Sequence, residues 1–510
     1  DLNLKAGTLA GEDLDGTNAC FNVLLGECAG KEMTSGASNV ALGKCALGSG
    51  IVTGGCNVAL GDLAGLANTS GANNFFGGYH AGYQNTTGSS NVFIGRESGK
   101  ANTCGHTNIY MGNVAGGLDK CGCYNVAIGQ YAAGMANGDS VARQNNVSIG
   151  NYASACLTEG HSNVHIGELA GQHVTCNDAT VMIGKQAGRC MVGAENIFIG
   201  AYAGKGCSTT PADNTGGNNT VIGQDIGKCL SSGAYNILLG RYTAASLTTG
   251  NCNVAIGQKA MFCGTTNYNN VALGYCALHG NTTTCASGYQ NVAIGFETLR
   301  DICTGKMNTA VGSLTMSGLT SGCFNFAGGY AAGIKISTGN NNFAGGYYAL
   351  CGGPLTGNEN IALGKYAGRN MTSGGCNIIM GMQAADAATE TSHLIALGAH
   401  AGGSNSMTGS HNILFGHYAG FKLTTGNGNV TAGEKAGCEL TEGNSNVFIG
   451  RLTGDAVTTG CFNVAIGCGV DVASATGSNQ LAIGIAGDKW ITGDSSWHIQ
   501  PGAGIRDTAG

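Results

Sequence analysis

The sequence predicts an all-β protein, a parallel β-solenoid or β-roll of about 27 coils with a 17-residue repeat. Three observations predict it. First, a five-residue phrase (asparagine, aliphatic, alanine or a bulkier apolar residue, aliphatic, glycine) recurs as NVLLG at 22–26, NVFIG at 91–95, NIFIG at 196–200 and NVAIG at 463–467. Second, the glycines that end the phrase occupy 27 slots from Gly26 to Gly484, and 19 of the 26 intervals between them are 17 residues. Third, glycine fills 92 of 510 positions and proline 3, with 43% hydrophobic and only 10% charged residues, which suits turns and short buried strands. Collagen needs glycine at every third position with abundant proline, and disorder goes with low hydrophobicity and high charge. Neither description fits.

Each part of the coil follows from its residues, counted from the anchor glycine that ends the phrase. The phrase itself is strand-length and rich in Val and Ile, and the unit is too short for a helix pair and lacks helical periodicity. Glycine at position −7 (Gly36, Gly88, Gly250, Gly426, Gly460) predicts a tight turn in which positive φ costs little. Longer intervals place their extra residues between one phrase and the next turn, as at 134–145 and 206–217, where stacked coils tolerate outward loops. At ~4.8 Å per strand, the full stack predicts a rod on the order of 130 Å long.

Asparagine holds position −4 in 24 of 27 coils, the exceptions being Thr180, Leu394 and Gln480. Equivalent side chains in stacked coils lie one strand spacing apart, so their amides can bond up and down as a ladder. Asparagine also bonds nearby backbone at a strand's start. Asn22, Asn39, Asn57, Asn91, Asn125, Asn253, Asn291, Asn446 and Asn463 are therefore read as structural rungs rather than as ligand sites.

Positions −3 and −1 share a face and are nearly always aliphatic, and this face is expected to fill the coil's own core. Position −2 is alanine in 13 coils and large elsewhere, as at Phe76, Phe93, Tyr110, Phe198, Leu238, Ile379, Leu414 and Phe448; only Ser148, His165 and Thr431 are polar. A strand apolar on both faces is buried on both. A thin coil cannot do that alone, so other copies are expected to cover the second face, with a homotrimer as the closed arrangement. A monomer with an uncovered apolar face is the alternative. The repeat shaft spans 1–484 and is expected to begin mid-coil, because Ala6-Gly7 matches the tail of a coil. Residues 485–510, which carry Trp490 and Trp497, leave the repeat and are expected to cap or join the rod.

The phrase N-V-A-I-G-x-x-A-G resembles the repeats in the heads of trimeric autotransporter adhesins, which form trimeric parallel β-rolls. The longer unit is similar to repeat regions of bacteriophage tail fibres of the marine and environmental type. It shares their T-T-G turns and cysteine variants such as GECAG (26–30) and GKCALG (43–48). The segment LAIGIAGDKWITGDSSWHIQPGAGI (481–505) also looks like the stretch just downstream of such repeats in those fibres. The resemblance implies a rigid, extracellular tail-fibre shaft used for host attachment, with a host receptor or glycan as partner. A bacterial surface adhesin or a head-to-tail extracellular filament is the competing reading.

Little else in the chain points to chemistry. No G-x-S-x-G, H-E-x-x-H or P-loop occurs, and carboxylates fall singly, as at Glu27, Asp62 and Glu168, so no enzyme and no cofactor are expected. The net charge of −6 without a basic stripe argues against nucleic acid. No apolar run reaches the length of a membrane-spanning helix. Among the 23 cysteines, Cys28 and Cys45 share position +2 in consecutive coils, and Cys104 and Cys121 share position −8. Either pair could form an inter-coil disulfide, or be small buried thiols. Cys121-Gly-Cys123 is the nearest approach to a zinc motif and has no second half, so no metal is expected. His393 and His411 share a slot in adjacent coils, near His400 and His417, and read as surface histidines. Tyrosine favours position +2 (Tyr131, Tyr152, Tyr202, Tyr242, Tyr348, Tyr366, Tyr418), where chain packing is the preferred role and a carbohydrate surface the other. Receptor contact is assigned to the rod ends or to loops near 134–145, 206–217 and 280–290.

Overall fold

The computed structural model describes residues 2–15, 17–135, 143–206, 213–280, 288–403, 405–496 and 498–502. Most of the three expected receptor loops (136–142, 207–212 and 281–287), Trp497 and the last eight residues (503–510) lie outside them. The fold is all-β, with no α-helix among the described residues, and forms a parallel β-solenoid of about 27 turns. It divides into two compact units, 1–256 and 257–510. The first carries β1 (Leu4–Ala6) through β15 (Val254–Ile256), every neighbour pairing in parallel and in register, as in Val92↔Ile109 and Phe93↔Tyr110. The second carries β16 (Val271–Leu273) through β27 (Val464–Cys468) and β28 (Leu481–Ile485) in the same manner. There the repeat stops. β29 (Asp488–Gly493) turns back antiparallel on β28, and β30 (Ile499–Pro501) pairs antiparallel with β29.

The two strand faces are the reverse of the assignment expected from sequence. Position −2 points inward in every coil, and residues as different as Ala41, Phe93, Tyr110 and Ile379 are all buried there. Positions −3 and −1 are half-buried or exposed, the pattern along Val92–Ile94 being typical. The reason is the narrowness of the coil. Its interior also receives the alanine at +3, the residue at +4 and the residue at +7, as with Ala81, Gly82 and Asn85, so that one strand side chain per turn completes the filling.

Filling is reciprocal between positions −2 and +4. Phe93, Phe198 and Phe448 lie over Gly99, Gly204 and Gly454, where a Cβ would come within 2.5–2.6 Å of the ring. In several coils where −2 is alanine, as at Ala272, Ala293 and Ala310, position +4 of the same coil is the large residue (Leu278, Leu299, Met316). In others, as with Ala59 and Gly65, side chains of the adjoining coils (Leu47, Phe76) fill the space. Close packing of this kind forbids both a void and an overlap.

Two further expectations are corrected. The glycines at −7 named above are not positive-φ turn residues, since Gly36, Gly88, Gly250, Gly426 and Gly460 lack positive φ, although Gly160 in the same slot has it. They are small because they press on the next coil, a Cβ on Gly36 lying 2.6 Å from the Gly54 carbonyl oxygen. Positive φ falls instead on the anchors, on position +4, and on ordinary residues at +2 and −5, such as His80 (57°), Val114 (59°) and Tyr124 (59°). A left-handed non-glycine costs roughly 1–2 kcal/mol. Here it aims an amide at the preceding coil, as in Glu97 N donating to Tyr79 O at 2.8 Å. Second, Ala6-Gly7 does not match a coil's tail. It ends a strand phrase, with Leu4–Ala6 paired to Val23–Leu25 and Gly7 carrying the anchor φ of 131°.

Candidate functional site

The asparagines at −4 are buried and bonded in series. Asn91 donates its backbone N–H to Asn74 Oδ1 at 2.9 Å and its amide to Asn74 Oδ1 and the Gly105 carbonyl at 3.2 and 2.8 Å. Its own Oδ1 accepts from the backbone and side chain of Asn108. Asn22, Asn39, Asn57, Asn125, Asn253, Asn291, Asn446 and Asn463 take part in the same inter-coil bonding. Every amide is consumed inside the wall, so none is presented to a ligand.

Of the cysteines, Cys104 and Cys121 are joined by a disulfide, their Cα atoms 4.9 Å apart. Cys28 and Cys45 are free thiols that hydrogen-bond each other, and burial together with Cys28 pushes the Cys45 thiol up. His393 and His411 stack at 4.7 Å, and His400 stacks on Tyr418 at 4.8 Å. Among the described residues no three His, Cys, Asp or Glu side chains gather to hold a metal. No helix there is long and apolar enough to cross a membrane. The scattered carboxylates bridge coils, with Glu27 on Lys44 at 3.1 Å and Glu168 on Lys185 at 3.0 Å.

Two interior polar groups were not anticipated. Arg143 occupies −7, where glycine is usual, and its guanidinium enters the coil to meet Asp119 at 3.4 Å and the carbonyls of Ala133 and Leu157. Asp119 in turn accepts from the Tyr110 hydroxyl at 2.5 Å. A chain of hydroxyls surrounds His165: Ser148 donates to Ser154, Ser154 contacts Nδ1 at 2.7 Å, and Nε2 contacts Thr180 at 2.9 Å. Thr180 spends its proton on Asn163 Oδ1, so Nε2 must carry the imidazole hydrogen and Nδ1 must accept.

Burial lowers the His165 pKa to about 4. Between ~6.5 and 4 the unfolded chain binds the proton and the fold does not. The stability this histidine permits is therefore full above ~6.5 and falls by about 3 kcal/mol as pH drops to 4. Asp455, raised to about 6 by burial and by Asp471, acts in the opposite sense in the second unit. The expected result is that His165→Met flattens the acid limb of urea-unfolding stability relative to the parent chain; identical limbs would refute the assignment.

The surface feature that repeats is apolar. Among the described residues, nearly every exposed large hydrophobic stands at −5, −3, −1 or +1; the others are Leu9, Ile51, Leu118, Met135, Tyr268, Trp490 and Ile499. In the first unit the columns include Phe21, Tyr124, Tyr235, Ile109, Ile237 and Ile256; in the second, Phe324, Phe462, Ile413, Phe415, Ile449 and Tyr347. Tyr235, Phe462 and Phe415 are 64, 60 and 57% exposed. Within the face, bulk is exchanged rather than added. Where −3 is Phe75, Phe326 or Phe343, position −1 is glycine (Gly77, Gly328, Gly345), and the Phe75 ring lies 3.0 Å from where a Gly77 Cβ would stand. The apolar strip on each unit, its bulk levelled between −3 and −1, is what the geometry offers to a partner. Set against known protein families, curated proteins and solved structures, the chain matches none of them.

Proposed function

We propose that the protein is a structural fibre, in which copies of the chain pack through the apolar columns to make a stiff shaft. The exposed columns carry this reading. The −3 and −1 columns, a strip roughly 7–10 Å wide rising ~4.8 Å per coil over about thirteen coils, offer on the order of 500 Å² per unit, to which scattered aromatics at −5 and +1 add. That lies at the upper end of the ~300–600 Å² of a typical monomer's largest apolar patch, and the areas of the two units together reach the ~800 Å² per partner of a stable interface. Levelling of phenylalanine against glycine adds support, because an open surface has no need of constant height and a packed one does. Three copies about one axis close such a face, and the repeat's likeness to phage tail fibres makes host attachment the favoured role for the shaft.

Light scattering after size exclusion tests this. The expected mass is three times the chain's 50.9 kDa. Ile109→Asp combined with Ile413→Asp, both on exposed positions, should return the single-chain mass with an unchanged circular dichroism spectrum. A monomeric parent chain would refute the fibre, and masses that grow with concentration would indicate a head-to-tail filament instead.

A further inference from the structure

Position +2 carries a tyrosine ladder, and in most of it each ring is covered by the next coil or by a cation. Tyr131 and Tyr152 stack at 4.9 Å, Arg241 lies over Tyr242 at 4.8 Å, and Arg369 lies over Tyr366 at 5.1 Å. Tyr418 differs. His400 stacks parallel on one face at 4.8 Å, and Phe421 stands against it at 82° with centroids 4.8 Å apart. The next residue in the column is Lys435, and between the two coils a cleft of about 370 Å³ opens, lined by Tyr418, Phe421, Lys422, Lys435, Cys438 and Glu439.

We propose that this cleft binds an acidic sugar unit, a pyranose carrying a carboxylate. A pyranose ring shows one face of C–H groups, which packs against aromatic rings, and an equatorial rim of hydroxyls. Tyr418 and Phe421 form a right-angled aromatic corner of the kind that holds such a face. On the rim, Lys422 and Glu439 are paired at 2.6 Å, presenting a donor and an acceptor side by side to neighbouring hydroxyls. Lys435 has no ion-pair partner among the described residues, and of the side chains lining the cleft it is the one charge left uncompensated once Lys422 pairs with Glu439, Asp455 lying behind Cys438 and Glu439. That ammonium selects a carboxylated sugar over a neutral one. The volume lies in the ~300–1,000 Å³ range of small-molecule sites. The cleft occupies positions +2 to +6, outside the four apolar columns, so it stays open whether or not that face is covered, and the inference stands apart from the fibre reading.

Saturation-transfer NMR of the full chain with D-glucuronate, and with D-glucose as the neutral probe, tests the site at about 10 mM sugar, suited to a Kd near 1 mM. Glucuronate should take up saturation on its ring C–H protons more strongly than glucose. Tyr418→Ala should raise the Kd read by titrating that signal at least about fivefold, equivalent to roughly 1 kcal/mol, and Lys435→Met should bring glucuronate down to the level of glucose. Tyr152→Ala, on the ladder of the other unit, should change nothing. Lys435 is exposed, so its variant reports even where loss of Tyr418 disturbs the wall. No saturation of glucuronate, equal signals in the parent and both cleft variants, or equal uptake of the two sugars would each overturn the proposal.

Discussion

Replacing Gly95 by alanine is expected to unfold the coils around it, at a cost of about 4 kcal/mol or more. Two independent terms combine. The anchor sits at φ 124°, a region that a Cβ makes strongly unfavourable. The added methyl would also stand 2.6 Å from the Gly112 carbonyl oxygen and 2.8 Å from its carbon. Those are backbone atoms that cannot retreat, because Gly112 N is itself bonded to Ile94 O at 2.8 Å. In a solenoid each repeat leans on its neighbours, so the damage should spread outward from the site. Hydrogen exchange would show protection lost first in strands 92–94 and 109–111. Gly487→Ala is the control: its φ is also positive at 78°, but nothing lies within 4 Å of the new methyl, and a loss near 1 kcal/mol is expected. Equal effects at the two sites would mean that conformation alone, not stacking, decides the anchor.

Asn91→Ala should cost nearly as much, about 4 kcal/mol, without any clash. The substitution strips the acceptor from the backbone and amide of Asn108 and the donor from the Gly105 carbonyl. Each buried group left unpaired costs roughly 1–3 kcal/mol. The chain contains its own milder alternatives. Thr180 stands in the same slot and still reaches Asn163 Oδ1 through its hydroxyl and backbone N–H. Leu394 has no side-chain amide, keeps only its backbone N–H bond to Asn377 Oδ1, and the Gly409 carbonyl is served instead by Thr391 Oγ1 at 2.6 Å. Asn91→Thr should therefore lose about half of what alanine loses in urea-melting experiments. If threonine and alanine prove equal, the ladder contributes packing rather than hydrogen bonds.

The strand phrase, its parallel stacking and the rungs at −4 could be read from the sequence because they recur at a fixed interval, and every coil repeats the evidence. Which strand face lies inside could not. Alternation separates two faces but does not rank them, and aliphatic residues at −3 and −1 outweigh an alanine at −2 in any reading that places bulk inside. The clue was the small residues at +3 and +4, which show how little room a coil encloses. Arg143 escaped notice because it occurs once, in a slot where glycine prevails, and a periodic reading discards single departures. His165 stood out as one of three polar residues at −2, but on the face expected to lie outside the coil, so its burial was not foreseen. The apolar face was half-seen: its −3 and −1 columns were placed in the core, and the aromatic members at −5 and +1 are too scattered to stand out without the coil geometry.

The exchange of bulk between −2 and +4 constrains how such a chain can change in length. A coil carrying Phe93 inside must also offer Gly99, whereas a coil carrying Ala310 tolerates large neighbours such as Leu299 and Met316. Repeats are thus not interchangeable beads, and a single coil copied into a foreign neighbourhood would meet either a hole or a collision. Blocks with matching bores, such as the run bearing Phe76, Phe93 and Tyr110, are the natural currency of duplication and deletion. Shafts of altered reach should be built by splicing at joints where both bores agree, and a one-coil graft should succeed only between like neighbours.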